Sequence, residues 1–353
     1  MKILVLYSEM AGYFLACIRR YAEVYQAEVH IVRWKVNAEA PFQFQDENAI
    51  TWYERDGYDA KGLVELGKTI NPDLVYVTGW IDKAYLKVAA HFFKQAVPVI
   101  GAFDTKWRGD FKQKIATWIS PFVFRQQFSH VWVSGLHQYE YARRLGFPRN
   151  VIQIGMYSAD TPRFEQVYQE SLAQKQKKYP HTLLFVGRFV EMKRVEELAQ
   201  AFRELGQEMR HDWKLVLVGN GPLRDGFPKH DKIEIRGFVQ PELLPQLAAN
   251  AGAFILSSFD EPWGVAMHEF AAAGLPIIAC EGSGASTAFL RHGYNGFLIP
   301  ETSVAGIKTA LRQLFSKSDA ELLQMGDGSL HLSRQISPDT WAATLHAIAQ
   351  KAF

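Results

Sequence analysis

Residues 259–279 read FDEPWGVAMHEFAAAGLPIIA, and this stretch decides the fold of the second half of the chain. The run AFILSS before it and the run LPIIA at its end are short and continuously apolar, which predicts two buried strands. Residues 264–273 have a helix-forming composition, and Gly274 stands where helices often end on a left-handed residue. A strand, a helix and a further strand predict an open α/β sheet. Ligands of such sheets bind at the carboxyl ends of the strands, where Glu261 and Glu269 would lie.

The same alternation of strands and helices extends over all 353 residues. Continuously apolar runs are typical of parallel strands that are covered on both faces. Each half of the chain contains six of them, which predicts an α/β protein with two doubly wound domains. The runs are KILVLYS, EVHIVRW, DLVYVTG, PVIGAF, HVWVSG and VIQIGM in the first half, and TLLFVGR, KLVLVGN, KIEIRGFV, AFILSS, PIIACEG and GFLIP in the second.

We place an N-terminal domain at residues 1–165 and a C-terminal domain at 166–337. Residues 161–180 are polar and charged with prolines near both ends, which is typical of a linker, part of which could be helical. Residues 338–353 have a helical pattern, with Trp341, Leu345 and Ile348 near one face. This helix could cap the second domain or cross back to the first.

Composition limits the class of protein. A formal net charge of +2 argues against a general nucleic-acid binder. The two cysteines, Cys17 and Cys280, are far apart and show no metal-ligand spacing, which indicates a reducing, cytoplasmic compartment. The apolar run at the N-terminus is too short for a signal peptide, so we interpret it as a first strand. No apolar stretch is long enough to predict a transmembrane helix.

Two cations follow the strand predicted over TLLFVGR, which ends at Gly187. They are Arg188 and Lys193. Arginine offers a rigid fork of donors and lysine a point charge, and a nearby helix start adds partial positive charge. The pattern favours an anion-binding site, but ordinary surface cations would have the same spacing.

Glycines follow the next strand, in KLVLVGNGPLRDG. Pro222 interrupts the series and the third glycine comes too late for the G-x-G-x-x-G fingerprint, which argues against a classical NAD site. Gly219 and Gly221 predict either backbone contact with a ligand phosphate or a plain tight turn. At the end of the third strand, the backbone of Phe238 is a candidate contact for a flat base.

Glu261 and Glu269 allow three interpretations. Paired carboxylates suit acid/base work such as glycoside hydrolysis. Ionised carboxylates also accept hydrogen bonds from the neighbouring hydroxyls of a ribose or a hexose. A glutamate near a helix start is also stabilised by the helix dipole alone, with no ligand.

The run EPWGVAMHEFAAAGLPIIA resembles the E-x7-E motif of family 4 of the GT-B glycosyltransferases, also called glycosyl transferases group 1. VGR followed by Lys193, and then GNGPLR, RGFV and NGFLIP, are similar to the family's other landmarks and come in the same order. The resemblance is strong over residues 182–300 and diffuse in the first half. It implies two Rossmann-like domains that face each other across a cleft, and a UDP- or GDP-linked sugar donor held by the second domain.

The resemblance also implies roles for individual residues. Arg188 and Lys193 would hold the diphosphate, Glu269 the nucleotide ribose and Glu261 the donor sugar. Further contacts to the donor would come from the backbone at Gly187, Gly219, Gly221, Phe238, Gly264 and Val265.

The first domain would hold the acceptor. Gly12, in the loop after the first strand, would let the backbone approach the donor phosphates, although a tight turn explains it equally well. The family often carries a histidine at the end of the fourth strand of this domain. Here the matching text is GAFDTKW, so Asp104 is the candidate for part of that role.

The implied activity is transfer of a sugar, with retention of configuration, by a metal-independent transferase of the hexosyl type without a cofactor. The chain has no D-x-D sequence, and two fixed cations could stabilise the leaving diphosphate. The resemblance suggests a role in bacterial polysaccharide or glycolipid assembly. The alternatives are a non-catalytic protein that binds a nucleotide sugar and an epimerase of the GT-B fold.

Residues 106–125 read KWRGDFKQKIATWISPFVFR and predict a helix with an apolar stripe and basic flanks. We favour the interpretation that the stripe packs on the core of the first domain. The alternative is that the helix lies on an anionic membrane surface at the inner face of the membrane, as would suit a lipid-linked acceptor.

Overall fold

The structure is a computed structural model that describes residues 1–35, 49–227 and 229–350. The chain divides into two compact units. The first combines Met1–Ser158 with Pro338–Phe353, and the second is Ala159–Ser337. The division therefore follows Ser158 rather than residue 165.

The first unit is built on a parallel sheet of seven strands in the order β3-β2-β1-β4-β5-β6-β7. The direction in which strands are added reverses between β1 and β4, as in doubly wound folds. The strands are β1 (Lys2–Tyr7), β2 (Glu28–Arg33), β3 (Ile50–Glu54), β4 (Leu74–Thr78), β5 (Val99–Phe103), β6 (His130–Val133) and β7 (Ile152–Ile154).

Sequence reasoning missed β3. This strand lies at the edge of the sheet, and most of its side chains are partly or fully exposed. It therefore lacks the continuously apolar pattern that marks the six other strands. The predicted six runs are confirmed as strands, and Asp104 consequently follows the fifth strand of the sheet rather than the fourth.

The helices of the first unit are α1 (Gly12–Tyr25), α2 (Ala60–Ile70), α3 (Lys83–Phe93), α4 (Phe111–Ile119), α5 (Leu136–Arg144) and, from the end of the chain, α13 (Pro338–Ala349). Helix α13 packs against α1. The indole of Trp341 is buried, stacks on Trp132 with ring centroids 4.9 Å apart, and donates a hydrogen bond to the carbonyl of Met156 at 2.9 Å. The terminal helix thus belongs to the core of the first unit.

The second unit is built on six parallel strands in the order β10-β9-β8-β11-β12-β13. This is the strand order of a classical Rossmann fold, with its switch point between β8 and β11. All six predicted runs are confirmed: β8 (Thr182–Val186), β9 (Lys214–Val218), β10 (Ile233–Arg236), β11 (Ala253–Leu256), β12 (Ile277–Cys280) and β13 (Gly296–Ile299).

The helices of the second unit are α6 (Thr161–Lys177), α7 (Val195–Glu208), α8 (Leu244–Ala249), α9 (Val265–Ala272), α10 (Ser286–Phe289), α11 (Val304–Phe315) and α12 (Asp319–Ser333). The helix predicted between the strands of the opening motif is confirmed as α9. It ends as predicted, because Gly274 has the left-handed φ of 67°.

The predicted linker at 161–180 is wrong for most of its length, because α6 is a continuous helix that packs against α8, α9 and α12. Its proline stands in the first turn, where the missing N–H costs nothing. Phe164 is buried against Phe270 of α9, which a solvated linker would not allow. The polar composition that suggested a linker belongs to its outward face.

The stripe of residues 106–125 does not pack on the core as we favoured. Helix α4 and the short 3-10 turn after it leave most of the apolar side chains of the stripe in solvent, whereas Trp107 is partly buried beside Tyr141. In the described residues, no helix has the length and apolar composition that crossing a bilayer requires.

Candidate active site

The candidate site lies at the switch point of the second sheet. Strands β8 and β11 are neighbours there, and the chain leaves their carboxyl ends in opposite directions. The loop after β8 carries Lys193, and the loop after β11 carries Glu261. Open α/β sheets bind their ligands at such a point because the two loops diverge and leave a crevice.

Lys193 and Glu261 form an ion pair at this point. The carboxylate also accepts a hydrogen bond from the hydroxyl of Ser258 at 3.0 Å. Both charged side chains are largely withdrawn from solvent, with exposed fractions of 13% for Lys193 and 11% for Glu261. Sequence reasoning gave these two residues separate ligands, whereas the structure joins them in one polar group.

Ser257 fixes the loop that carries Lys193. Its hydroxyl donates to the carbonyl of Lys193 at 2.7 Å, and the backbone N–H of Phe259 donates to Met192 at 3.2 Å. The two loops are therefore bonded to each other directly beyond the strand ends. Sequence reasoning did not single out Ser257 and Ser258, although two hydroxyl residues directly after a buried strand were a readable signal.

Gly264 turns the chain from the loop of Glu261 into α9. Its φ of 99° favours glycine, and a Cβ there would lie 2.7 Å from Leu256 and 3.2 Å from the Cγ of Glu261. The first residue of α9 is Val265, so both predicted backbone positions lie at the helix start that follows the loop of Glu261. Contact of their amides with a donor stays a prediction.

Glu269 lies on the second turn of α9 and is half-buried. Burial, followed by the nearby carboxylate of Asp160, raises the pKa of its carboxyl to about 7. Asp160 precedes α6 and was not among the predicted site residues. Its proximity gives the second unit two close carboxyl groups, one of which titrates near neutral pH.

His268 anchors the helix that carries Glu269. It is fully buried, accepts the N–H of Ala159 on Nδ1 at 3.0 Å and donates from Nε2 to the carbonyl of Ser333 at 2.9 Å. These partners fix its neutral tautomer. Burial lowers the pKa of His268 to about 4, so the side chain is neutral at physiological pH.

The other predicted cation is placed differently. Gly187 directly follows β8 and donates its N–H to the carbonyl of Val218 at 3.0 Å, and Arg188 after it is exposed. Lys193 and Arg188 thus differ in burial, although both lie in the segment that follows β8. A diphosphate held by both of them stays a prediction.

Gly219 and Gly221 are required by packing. Cβ atoms would stand 1.9 Å from the carbonyl oxygen of Gly187 and 2.4 Å from that of Phe189, which no side chain tolerates. The tight turn is therefore sufficient to explain both glycines, and their contact with a phosphate stays a prediction. Phe238 follows β10 and is half-buried, and its predicted contact with a base is likewise untested.

A separate pocket of about 410 Å³ lies within the first unit, at the carboxyl ends of β1, β4 and β5. Asp104 lines it, and its carboxylate accepts a hydrogen bond from the hydroxyl of Tyr157 at 3.2 Å. Burial, followed by the charge of Asp104, keeps the pKa of Tyr157 well above its ordinary value, so this hydroxyl stays a donor. Among the described residues, the charged ones that line this pocket are Glu9 and Asp104.

Gly12 is the first residue of α1 rather than a loop residue, because the helix starts directly after Ala11. It is not among the described glycines with left-handed φ. A strained turn therefore does not explain it, and an approach to phosphates stays a prediction. In the part of the chain that the structure describes, no three His, Cys, Asp or Glu side chains are grouped to hold a metal ion.

Solved structures with the same architecture cover nearly the whole chain. Sucrose-phosphate synthase from Thermosynechococcus elongatus superposes with a TM-score of 0.73 at 15% identity, over 99% of this chain and 98% of that one. HepE of Anabaena, in complex with UDP and glucose, superposes with a TM-score of 0.70 at 16% identity, over 98% of each chain. These neighbours and the two doubly wound sheets define the GT-B fold.

Sequence comparison adds the family. Residues 168–327 match the family described as glycosyl transferases group 1. The chain is 28% identical over 177 residues to the 2-deoxystreptamine N-acetyl-D-glucosaminyltransferase of Niallia circulans, across 48% of this chain and 43% of that protein. It is 27% identical over 168 residues to the N-acetyl-alpha-D-glucosaminyl L-malate synthase of Bacillus anthracis, across 44% and 43%.

The second unit therefore carries a group 1 glycosyltransferase domain within a chain of the GT-B fold. The chain matches these curated relatives over less than half of their length. All the residues of the ion pair, its serine partners and Glu269 lie inside the matched range.

Proposed function

We propose that this protein is a retaining glycosyltransferase of the hexosyl type that moves a sugar from a nucleotide diphosphate sugar to an acceptor hydroxyl. The observation that carries the proposal is the Lys193–Glu261 ion pair at the switch point of the second sheet, within the range that matches the family. A ligand bound there would contact the ammonium group of Lys193 and the carboxylate of Glu261, which lie on two loops that hydrogen-bond to each other.

The donor's diphosphate would lie against Lys193 and Arg188. The ammonium group of Lys193 has three donors and uses one on Glu261, so others can reach a phosphate oxygen. As the bond between the sugar and the phosphate breaks, negative charge grows on the leaving oxygen. Cations fixed in advance stabilise that charge most strongly.

The sugar and the ribose of the donor would be bound by carboxylates. Glu261 would accept hydroxyls of the sugar, and Glu269, when ionised, would accept the two ribose hydroxyls. The nucleotide is proposed to be UDP, since HepE and a trehalose-6-phosphate enzyme from E. coli hold UDP or a UDP sugar, with GDP as the alternative.

The acceptor would bind in the pocket of the first unit, beside Asp104 and the hydroxyl of Tyr157. The acceptor oxygen attacks the anomeric carbon on the face from which the diphosphate leaves. Its proton passes to the leaving diphosphate oxygen, so no protein nucleophile is required. Because both charged lining residues are acidic, we expect an uncharged or amino sugar rather than a phosphorylated one.

We further propose that the reaction needs no metal ion or cofactor and takes place in the cytoplasm, in assembly of a polysaccharide or glycolipid. Two cations at the strand end support metal independence, since they can carry the charge that Mg²⁺ would otherwise neutralise.

Calorimetric titration with UDP, GDP and ADP, with and without magnesium, tests the donor site. We expect one nucleotide to bind, with no need for magnesium and with loss of binding in Lys193→Ala. Lys317→Ala is the matched control, because Lys317 forms a surface ion pair with Glu321 in the same unit. Failure of all three nucleotides to bind would overturn the proposal.

Turnover then separates the alternatives. Incubation of the preferred nucleotide sugar with acceptors should yield a glycoside of unchanged anomeric configuration. Binding without any turnover would favour a non-catalytic nucleotide-sugar protein. Conversion of the donor sugar into its epimer without an acceptor would favour an epimerase.

A further inference from the structure

Helix α4 presents an apolar face to solvent. The exposed fractions are 77% for Phe111, 42% for Ile115, 79% for Trp118 and 81% for Phe122, which follows on the short 3-10 turn. At 3.6 residues per turn, Phe111, Ile115 and Trp118 fall within about 60° of one another around the axis of α4, and Phe122 continues the row on the 3-10 turn that follows. They form one continuous stripe, which we name the apolar face of α4.

Hydrogen bonds on the opposite side of the helix fix its orientation. The buried side chain of Gln113 accepts the N–H groups of Arg108 and Gly109 at 2.6 and 3.1 Å, and donates to the carbonyl of Lys106 at 2.7 Å. The buried hydroxyl of Ser120 donates to the carbonyl of Leu145 at 2.6 Å. Rotating the helix to bury its apolar face would break these bonds and leave buried polar groups unpaired.

Basic residues flank the apolar face. Lys112 and Lys114 are exposed and stand on either side of it, at about 100° and 60° from Phe111. Residues 106–125 contain five basic residues and one acidic residue, Asp110, whose carboxylate caps the helix by accepting the N–H of Gln113. The surface around the stripe is therefore positively charged.

We propose that the apolar face of α4 inserts into the interface of an anionic lipid membrane and anchors the first unit there. Aromatic side chains are favoured at the boundary between headgroups and acyl chains, and lysines beside them reach the lipid phosphates. The occupant is a membrane rather than a second copy of the chain, because two copies of this basic surface would repel across a twofold interface. Such anchoring would not require transferase activity.

Vesicle co-sedimentation tests the proposal. The purified chain should sediment with vesicles that contain phosphatidylglycerol and much less with vesicles of phosphatidylcholine alone. Trp118→Ser with Phe122→Ser should weaken binding at least about tenfold, because two aromatic side chains lose their burial in lipid. Lys112→Gln and Lys114→Gln should each weaken binding to anionic vesicles about fivefold, and added salt should do the same.

The controls use equally exposed residues elsewhere on the first unit. Leu136→Ser removes a side chain that is 62% exposed on α5, and Lys83→Gln with Lys87→Gln removes two exposed lysines of α3. Neither change should alter sedimentation. All the variants change exposed side chains, so unchanged melting temperatures would show that the fold is intact.

A second measurement reports insertion directly. Both native cysteines are buried, so Phe122→Cys provides the accessible thiol for an environment-sensitive dye. The dye's emission should shift to the blue with anionic vesicles, whereas the same dye on Leu136→Cys should not respond. Equal responses at both positions, or full sedimentation of Trp118→Ser with Phe122→Ser, would overturn the proposal. Vesicle-free self-association that this double variant abolishes, with no lipid binding, would assign the face to a second copy instead.

Discussion

The ammonium group of Lys193 and the carboxylate of Glu261 are paired across the two central strands of the second sheet, one from the loop after β8 and one from the loop after β11. The residues are far apart in sequence, and the hydroxyls of Ser257 and Ser258 hold both loops in place. A change in either partner should therefore affect the other, because the remaining charge is left without its counter-ion in a largely buried place.

Loss of Lys193 should abolish transfer without unfolding the chain. We expect Lys193→Ala to lower kcat/KM at least about 100-fold, equivalent to about 3 kcal/mol of lost transition-state stabilisation. Glu261→Gln should lower it too, since the sugar contact and the orientation of the lysine are both weakened. Steady-state kinetics with the preferred donor checks this. Lys317→Ala should behave as the parent, and a Lys193→Ala variant with parental kinetics would remove this residue from the site.

The ionisation of Glu269 should control nucleotide affinity. With a pKa of about 7, the carboxyl is mostly neutral at pH 6 and mostly ionised at pH 8. If the ionised form accepts the ribose hydroxyls, affinity should rise about tenfold between about pH 6 and pH 8. UDP-glucose is the suitable ligand, because its diphosphate does not titrate in this window.

Variants separate this effect from other titrations. Glu269→Gln should bind weakly and without pH dependence. Asp160→Asn should move the midpoint to lower pH, because it removes the neighbouring negative charge that raises the pKa of Glu269. A parental pH profile in Glu269→Gln would show that another group is responsible.

The buried imidazole of His268 should make the second unit sensitive to acid. Its pKa of about 4 lies below the ordinary value, so the unfolded chain binds a proton where the folded chain does not. The stabilising contribution is complete above about pH 6.5 and is lost as pH falls toward 4, on the order of 3 kcal/mol. Denaturant unfolding at a series of pH values measures it.

His268→Gln should flatten that dependence, whereas the exposed His331→Gln should leave it unchanged. A glutamine can still accept the N–H of Ala159 or donate to Ser333, which limits the loss of structure. An unchanged acid profile in His268→Gln would place the sensitive group elsewhere.

Gly219 should be essential for folding rather than for ligand binding alone. A Cβ at this position would stand 1.9 Å from the carbonyl oxygen of Gly187, so Gly219→Ala must displace backbone. We expect a loss of stability of more than about 3 kcal/mol. Gly206→Ala is the control, because Gly206 lies within α7, where alanine is the better helix former. Parental melting of Gly219→Ala would show that packing does not require this glycine.

Asp104 should act on the acceptor and leave the donor unaffected. Asp104→Asn keeps the shape of the pocket and the bond from Tyr157 but removes a negative charge. We expect a higher acceptor KM or a lower kcat, with an unchanged dissociation constant for the nucleotide. Asp56→Asn, at an exposed ion pair with Lys35, is the matched control. A weakened nucleotide affinity in Asp104→Asn would contradict the division of roles.

Much of the fold followed from the sequence because parallel strands buried on both faces are continuously apolar. Twelve such runs became strands, and the run from Glu261 to Gly274 predicted its helix and the left-handed residue that ends it. The edge strand β3 was missed because it is exposed, and α6 was taken for a linker because its polar face dominates its composition.

The candidate site, too, was predicted only in part from the sequence. The sequence by itself selected Lys193, Glu261 and Glu269, because charged residues in the loops after buried strands, or early in the helix that follows, are readable without coordinates. Only the tertiary structure decided that Lys193 and Glu261 are paired, and that Asp160 lies close enough to raise the pKa of Glu269. Only the tertiary structure decided, too, that the apolar face of α4 points outward. The sequence pattern of a helix shows which side chains share a face. The hydrogen-bond partners of Gln113 and Ser120 determine which of these faces packs against the protein core.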